Sequence, residues 1–216
     1  MSLENQLTEV RNQSAQNIPA DILKKMVDAT DALKAQALEQ FAPKVGETLA
    51  DFSLQNQVGE TITLSEHVKN GPVVITFYRG GWCPYCNLEL KAYQSVLPDI
   101  QAAGGSLLAI TPERPDASLT TIEKNALDFT VLSDIGAAYA KSLGIVFTLP
   151  EEIKPIYSQF GINIEQHNGE AQFDLPLAAT FVVDQNRTVI FADVNADYTQ
   201  RAEPTAVVAH LAKMKG

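Results

Sequence analysis

The chain has 216 residues, enough for one large domain or for one domain with an added arm, and its 45% hydrophobic and 19% charged residues are those of an ordinary globular protein. A formal net charge of -10 repels nucleic acid and anionic membrane surfaces, so neither is expected as a partner. No apolar run reaches the ~20 residues that span a bilayer, and the polar stretch from Met1 to Asn17 lacks the apolar core of a secretory signal, so a cytoplasmic location is the expectation.

Residues up to about Phe41 carry a helical pattern, with Ile22, Met26, Thr30 and Leu33 on one stripe and Pro19 and Asp21 suited to a helix start. This segment reads as an arm packed on the domain or on a second subunit, or as a simple covering helix. Pro43 and Gly46 end it. From Gly46 to Ser65 apolar and polar residues alternate around Gly59, as in a β-hairpin. Val73-Val74-Ile75-Thr76-Phe77-Tyr78 is β-branched and aromatic, which predicts a strand buried on both faces. A helix follows, with Leu90, Tyr93, Leu97 and Ile100 as its apolar stripe and Pro98 expected to kink it or end its regular part. Ser106–Ile110 reads as a strand, Asp116–Leu127 as a helix, Phe129–Leu132 as a strand, and Asp134 as the cap of a helix reaching Leu143. Thr148–Phe160 reads as a helical insertion, Ile162–Ile164 as a short strand and Asn168-Gly169 as a turn. Thr180–Asp184 and Val189–Phe191 form a hairpin, and Glu203–Met214 a closing helix. Strands alternating with helices imply a sheet covered on both faces.

The two cysteines of the chain, Cys83 and Cys86, sit between the buried strand and the helix after it, in Arg79-Gly80-Gly81-Trp82-Cys83-Pro84-Tyr85-Cys86. A bridge this short constrains little chain entropy, and in a reducing compartment a Cys-x-x-Cys pair in this context is redox-active rather than structural. Cys83 falls where an N-cap belongs, and Pro84 suits the first helical position. Unpaired amides and partial positive charge at a helix start stabilise a thiolate, and Arg79 adds charge nearby. Gly80 and Gly81 allow a sharp turn, while Trp82 shields the site, forms a docking surface or belongs to the core. A zinc site wants about four ligands, whereas the remaining candidates, His67, His167 and His210, are scattered. No metal and no cofactor are expected. Arg201 reads as a surface residue at a helix start rather than as a cation of the site.

At these residues the chain resembles the peroxiredoxins of the alkyl hydroperoxide reductase/thiol-specific antioxidant group, from Val45-Gly46-Glu47-Thr48-Leu49-Ala50-Asp51-Phe52 through the strand ending Phe77-Tyr78 to Ala179-Thr180-Phe181-Val182-Val183-Asp184. The resemblance implies an α/β thioredoxin-like fold: a central mixed sheet flanked by helices, with an N-terminal helical extension. It divides the chain into an arm at 1–44 and a peroxiredoxin-type domain at 45–216. It places Cys86 at the peroxide-attacking position, Cys83 where the family has a threonine, Arg79 where it has a proline and Ala178 where it has an arginine. It implies an oxidoreductase acting on a hydroperoxide, a thioredoxin-type or small-thiol reductant, and a possible homodimer. Local physics instead favours Cys83 as the exposed thiolate. Catalysis is therefore expected from Cys86 and Cys83, supported by Arg79, Trp82, Pro84 and Tyr85. The alternatives are a thioredoxin-like reductase acting on a disulfide substrate and a non-catalytic redox sensor.

Overall fold

A computed structural model of the chain describes residues 1–213. Its centre is β3 (Val73–Phe77), every residue of which is buried. Branched and aromatic side chains leave this run with no solvated face, so it is stable only with neighbours on both edges and cover on both sides. The neighbours are β4 (Ser106–Thr111), parallel to it, and β8 (Ala178–Val183), antiparallel. With β1 (Ser53–Asn56), β2 (Thr61–Thr63), β5 (Thr130–Ser133) and β9 (Val189–Asn195), they make a seven-stranded mixed sheet in the order β2-β1-β5-β4-β3-β8-β9. Ile75 and Phe77 pack on one face with Leu49, Phe52 and Tyr139, while Val74 packs on the other among Leu90, Tyr93 and Leu211. Each such side chain contributes about 1.5–3 kcal/mol by leaving water, so Phe77→Ala would cost about 3–5 kcal/mol.

The face of Val74 is covered by α4 (Pro84–Ala102) and α9 (Pro204–Lys213), with α1 (Leu3–Asn17) beside them. Pro98 does not end α4, which runs four residues further to Ala102. Its missing amide and ring clash cost about 3 kcal/mol in a helix interior, and the burial of Val96, Leu97 and Ile100 around it offsets that cost. Among the smaller elements are α3 (Leu64–His67), α5 (Pro115–Asn125) and α6 (Ala138–Ser142). The Asp134 carboxylate accepts from the amides of Tyr139 and Ala140, capping α6 as the sequence suggests. The predicted helical insertion, Thr148–Phe160, holds one short helix, α7 (Lys154–Gln159), and begins at the last residue of a strand, β6 (Val146–Thr148). Ile162–Ile164 is not a strand. The Asn163 side chain accepts from the Gln166 amide and starts α8 (Ile164–Asn168) instead. A strand the sequence did not signal, β7 (Asp174–Pro176), pairs with β6. Met214, the expected end of the closing helix, lies outside the described residues.

The N-terminal segment folds as α1 followed by α2 (Ala20–Ala35) and packs on this chain's own sheet domain. Ser2 caps α1 by accepting from the Asn5 amide, and the Glu203 carboxylate accepts from the amides of Leu3 and Glu4 at 3.3 and 2.7 Å. Arg11 donates to the Thr199 carbonyl at 3.0 Å, Lys34 pairs with Asp197 at 3.1 Å, and Glu39 accepts from the Ala196 amide at 2.9 Å. These four anchors converge on one loop, residues 196–203.

Candidate active site

The chain leaves β3, turns through residues 79–82 and enters α4 with Cys83 as N-cap and Pro84 at the first helical position, as the sequence predicts. The turn requires its two glycines. Gly80 sits at φ +155°, and a Cβ there would lie 2.2 Å from Trp82 Nε1; a Cβ on Gly81 would lie 1.9 Å from Thr121 Oγ1. The Gly81 amide donates to Glu113 Oε2 at 3.0 Å, and its carbonyl accepts from Asn87 Nδ2 at 2.8 Å. His167 Nδ1 lies 2.8 Å from the other oxygen of Glu113, so α8 also braces this loop. The helix start thus presents Cys83 and, within its first turn, Cys86. Both are free thiols and both are fully buried.

Two arginines flank the pair. Arg79 Nη2 lies 3.2 Å from Cys83 Sγ, and Arg201 Nη2 lies 3.4 Å from Cys86 Sγ. Burial pushes the Cys83 thiol up. The hydrogen bond from Cys86 and the charges of Arg79 and Arg201 outweigh it and hold Cys83 well below the ordinary cysteine value. Burial pushes Cys86 up too, and the neighbouring Cys83 sulfur adds to that push, so Cys86 keeps its proton far above the usual range. The surroundings thus favour the thiolate at Cys83 and the thiol at Cys86.

Arg201 is a correction to the sequence reading. It is buried, donating from Nε to Glu89 Oε2 at 2.6 Å and also to the backbone carbonyls of Tyr198 and Gln200. Thr76 Oγ1 donates to the other Glu89 oxygen at 3.3 Å. The loop that carries Arg201 is returned to the sheet by β9, 115 residues from Cys86, and no local motif announced the contact. Glu89 did leave a signal: a carboxylate three residues after Cys86 on the buried face of an apolar helix. Tyr157 and Tyr198 were also missed. Arg79 Nη1 donates to the Tyr157 hydroxyl at 3.1 Å, and its guanidinium carbon stands 3.9 Å from the Tyr198 ring centroid and 5.2 Å from that of Trp82. Trp82 is neither a free surface residue nor a core residue: it is half-buried against Tyr157, with centroids 5.5 Å apart. Tyr85 is buried edge-on against Tyr198. Ala178 lies in β8 opposite Asn195, so no arginine comes from that position.

Arg79, Tyr157 and Tyr198 also border two cavities of about 380 and 400 Å³ on either side of α2. Among the described residues no group of three or more His, Cys, Asp or Glu side chains is arranged to hold a metal ion, and no helix is long and apolar enough to cross a membrane.

The AhpC/TSA family model matches residues 45–192. A putative peroxiredoxin of Mycobacterium tuberculosis strain H37Rv is 25% identical over 170 residues, covering 78% of this chain and 96% of that protein. Peroxiredoxin Bcp of Escherichia coli K12 is 28% identical over 102 residues, 47% of this chain and 65% of its own length. The crystal structure of peroxidoxin BcpB from Mycobacterium tuberculosis superposes with a TM-score of 0.64 at 22% identity, over 81% of this chain and 99% of that one, a likeness of fold. Residues 1–44 and the loop bearing Tyr198 and Arg201 fall outside the interval the family model matches.

Proposed function

The chain belongs to the AhpC/TSA family, whose activity class is thiol-dependent peroxide reduction, and from that premise we propose that it is a thiol peroxidase working through Cys83 and Cys86, with Cys83 attacking first. The observation that carries this order is the setting of Arg79. Its guanidinium is buried, and among the described residues no carboxylate lies within salt-bridge distance of it. A buried cation without a counter-ion is costly, and of the two acidic groups it hydrogen-bonds, the Tyr157 phenol and the Cys83 thiol, a thiol is by nature the stronger acid. Arg201, by contrast, already has Glu89.

The Cys83 thiolate attacks the terminal peroxide oxygen. The O–O bond breaks, the sulfur becomes a sulfenic acid, and the organic oxygen leaves as an alcohol once protonated. The Cys86 thiol then attacks the Cys83 sulfur. A disulfide forms and the sulfenic oxygen leaves as water with the Cys86 proton. Two external thiols return the pair to the dithiol, and they are oxidised to a disulfide. Arg79 stabilises the attacking anion before the O–O bond breaks and faces the charge that develops on the departing oxygen. Both sulfurs are covered, so reaction requires Arg79 or Trp82 to yield at the cavity floor.

Sulfenic acid trapping in single variants tests the order. In Cys86→Ser, peroxide should leave a stable, trappable sulfenic acid on Cys83 after one turnover. In Cys83→Ser, trapping at Cys86 should be slower by about tenfold or more, because burial still opposes ionisation of that thiol. Equal trapping rates at Cys86 in Cys83→Ser and at Cys83 in Cys86→Ser would overturn the order.

A second reading rests on Cys83 standing at the N-cap ahead of Pro84. The same thiolate can attack a disulfide sulfur, with Cys86 resolving the mixed disulfide. Reduction of a disulfide substrate without any peroxide consumption would favour it.

A further inference from the structure

The two cavities that meet at Arg79 share a wall that does not come from the family-matched region. Met26 and Thr30 of α2 line both, and Leu23 and Val27 line the first. The opposite wall of the first cavity includes Phe160 and Ile162, from the segment around α7. The lining of the first cavity is mostly apolar, although Arg11, Asp31, Lys34 and Asp197 also border it. The polar groups that matter lie at its inner end, where Arg79 touches Cys83. Two buried N–H donors on residues of that inner end, Arg79 Nε and Trp82 Nε1, have no hydrogen-bond partner. Both atoms are closed to solvent, and Trp82 Nε1 abuts Gly80, so acceptor oxygens reach them only when Arg79 and Trp82 yield, as reaction at the covered sulfurs already requires. A buried donor without an acceptor costs about 1–3 kcal/mol, which favours an occupant bearing such oxygens at that end. The cavity therefore asks for an amphipathic molecule: peroxide oxygens at Arg79 and Trp82, and an apolar body along α2.

We propose that α2 is the specificity element of this enzyme, selecting hydroperoxides with a bulky apolar organic group over hydrogen peroxide by giving that group a wall of Leu23, Met26 and Val27. The proposal rests on the peroxidase reading and adds to it. Hydrogen peroxide has nothing to bury against α2, whereas an aryl or long alkyl group removes its surface from water there, at roughly 25 cal/mol for each Å². At about 380 Å³ the first cavity lies in the range of small-molecule sites. The chemistry is unchanged: the thiolate sulfur gains the terminal oxygen, the O–O bond breaks, and the bulky alcohol departs along the path by which the hydroperoxide entered.

Leu23 and Val27 make the test clean. They line the cavity, but unlike Ile22, Met26 and Ala29 they are not part of the packed cluster that seats α2 on Ile153 and Ile156. Val27 is 49% exposed. A Leu23→Asp/Val27→Asp chain should therefore fold, and neither residue belongs to the dithiol machinery. The measurement is kcat/KM for cumene hydroperoxide and for hydrogen peroxide at fixed reductant, with Leu23→Met/Val27→Ile as the apolar control. Wild type should favour cumene hydroperoxide. The double Asp variant should lose about tenfold on it with hydrogen peroxide unchanged, and the apolar control should match wild type. A wild type that favours hydrogen peroxide, or equal changes on both substrates, overturns the role of α2 and leaves the peroxidase reading standing. Consumption of neither peroxide by wild type overturns the peroxidase reading, and the α2 proposal with it.

Discussion

The two arginines at the dithiol are held in opposite ways. Arg201 is locked to the Glu89 carboxylate at 2.6 Å, in a pair whose side chains are each 1% exposed, and Thr76 satisfies the second carboxylate oxygen. Arg79 is just as deeply set but is held by a neutral phenol and by the faces of two rings. One charge is neutralised within the scaffold and the other is left for the sulfur. The contrast accounts for the opposite directions in which the thiols of two cysteines three positions apart on the same helix start are pushed. It also separates two settings that would otherwise look alike: Arg201 is paired within the folded framework, and Arg79 is the cation that the proposed mechanism puts to use.

The largest expected effect comes from breaking the neutralised pair. Arg201→Met strands a buried Glu89 carboxylate and should lower unfolding stability by about 3–5 kcal/mol, read from urea denaturation of the reduced protein. Arg79→Met strands nothing charged once Cys83 regains its proton, and an apolar replacement of a buried ion is often neutral or stabilising. Its stability should stay within about 1 kcal/mol of wild type, while peroxide consumption at neutral pH falls roughly 10- to 100-fold as the charge that holds the Cys83 thiol down is lost. If Arg79→Met unfolds as readily as Arg201→Met, the two arginines are not distinct in the way described.

Redox state sharpens the same contrast. A disulfide closing so short a loop stabilises by about 2 kcal/mol in the chain-entropy account. Oxidation also removes the Cys83 charge and leaves Arg79 alone, at a cost of about 3–5 kcal/mol. The second effect wins, so the oxidised protein should be less stable than the reduced one by about 1–3 kcal/mol at neutral pH. The sign with pH follows from Cys83 being held below its ordinary value. The stability its ionisation contributes to the reduced form is fully present above the unfolded cysteine value and is lost as pH falls through the depressed one. The gap between the two redox states should close as the medium is acidified, and thermal unfolding of both forms across pH checks it. Peroxide reactivity should fall away over the same acidic range.

The framework was legible because its signals are local. The run Val73–Phe77, the Cys83-Pro84 helix start and the Val183–Val189 hairpin each state their conformation within a few residues. What failed was decided at a distance or by a single side chain. Pro98 stays helical because the face around it is buried, which a proline rule cannot see. Ile162–Ile164 alternates like a strand, but the Asn163 side chain caps the next helix. The site divides in the same way. Cys83, Cys86, Arg79 and Trp82 lie within eight residues and could be named together. Arg201 and Tyr198 reach the dithiol from a loop shaped by β9 and pinned by the N-terminal helices, and Tyr157 from an insertion with little pattern of its own. Their chemistry depends on tertiary contacts that no spacing in the chain records.

The smallest expected effect probes what holds Arg79. Tyr157→Phe removes the hydroxyl that accepts from Nη1 at 3.1 Å but keeps the ring that packs at a tilt against Trp82. One buried donor loses its acceptor, a cost of about 1–3 kcal/mol, while the ring of Tyr198, 3.9 Å from the guanidinium carbon, stays in place. Cation–ring attraction of about 0.5–2 kcal/mol together with the Cys83 thiolate should keep Arg79 where it is, so peroxide turnover should fall no more than about threefold, under 1 kcal/mol. The measurement is kcat/KM beside the pH midpoint of Cys83 alkylation. A loss as large as that of Arg79→Met, with the midpoint moved up to match, would show that the phenol rather than the aromatic faces aims the guanidinium at the sulfur. The arginine left without a carboxylate would then depend on a single hydrogen bond from the insertion.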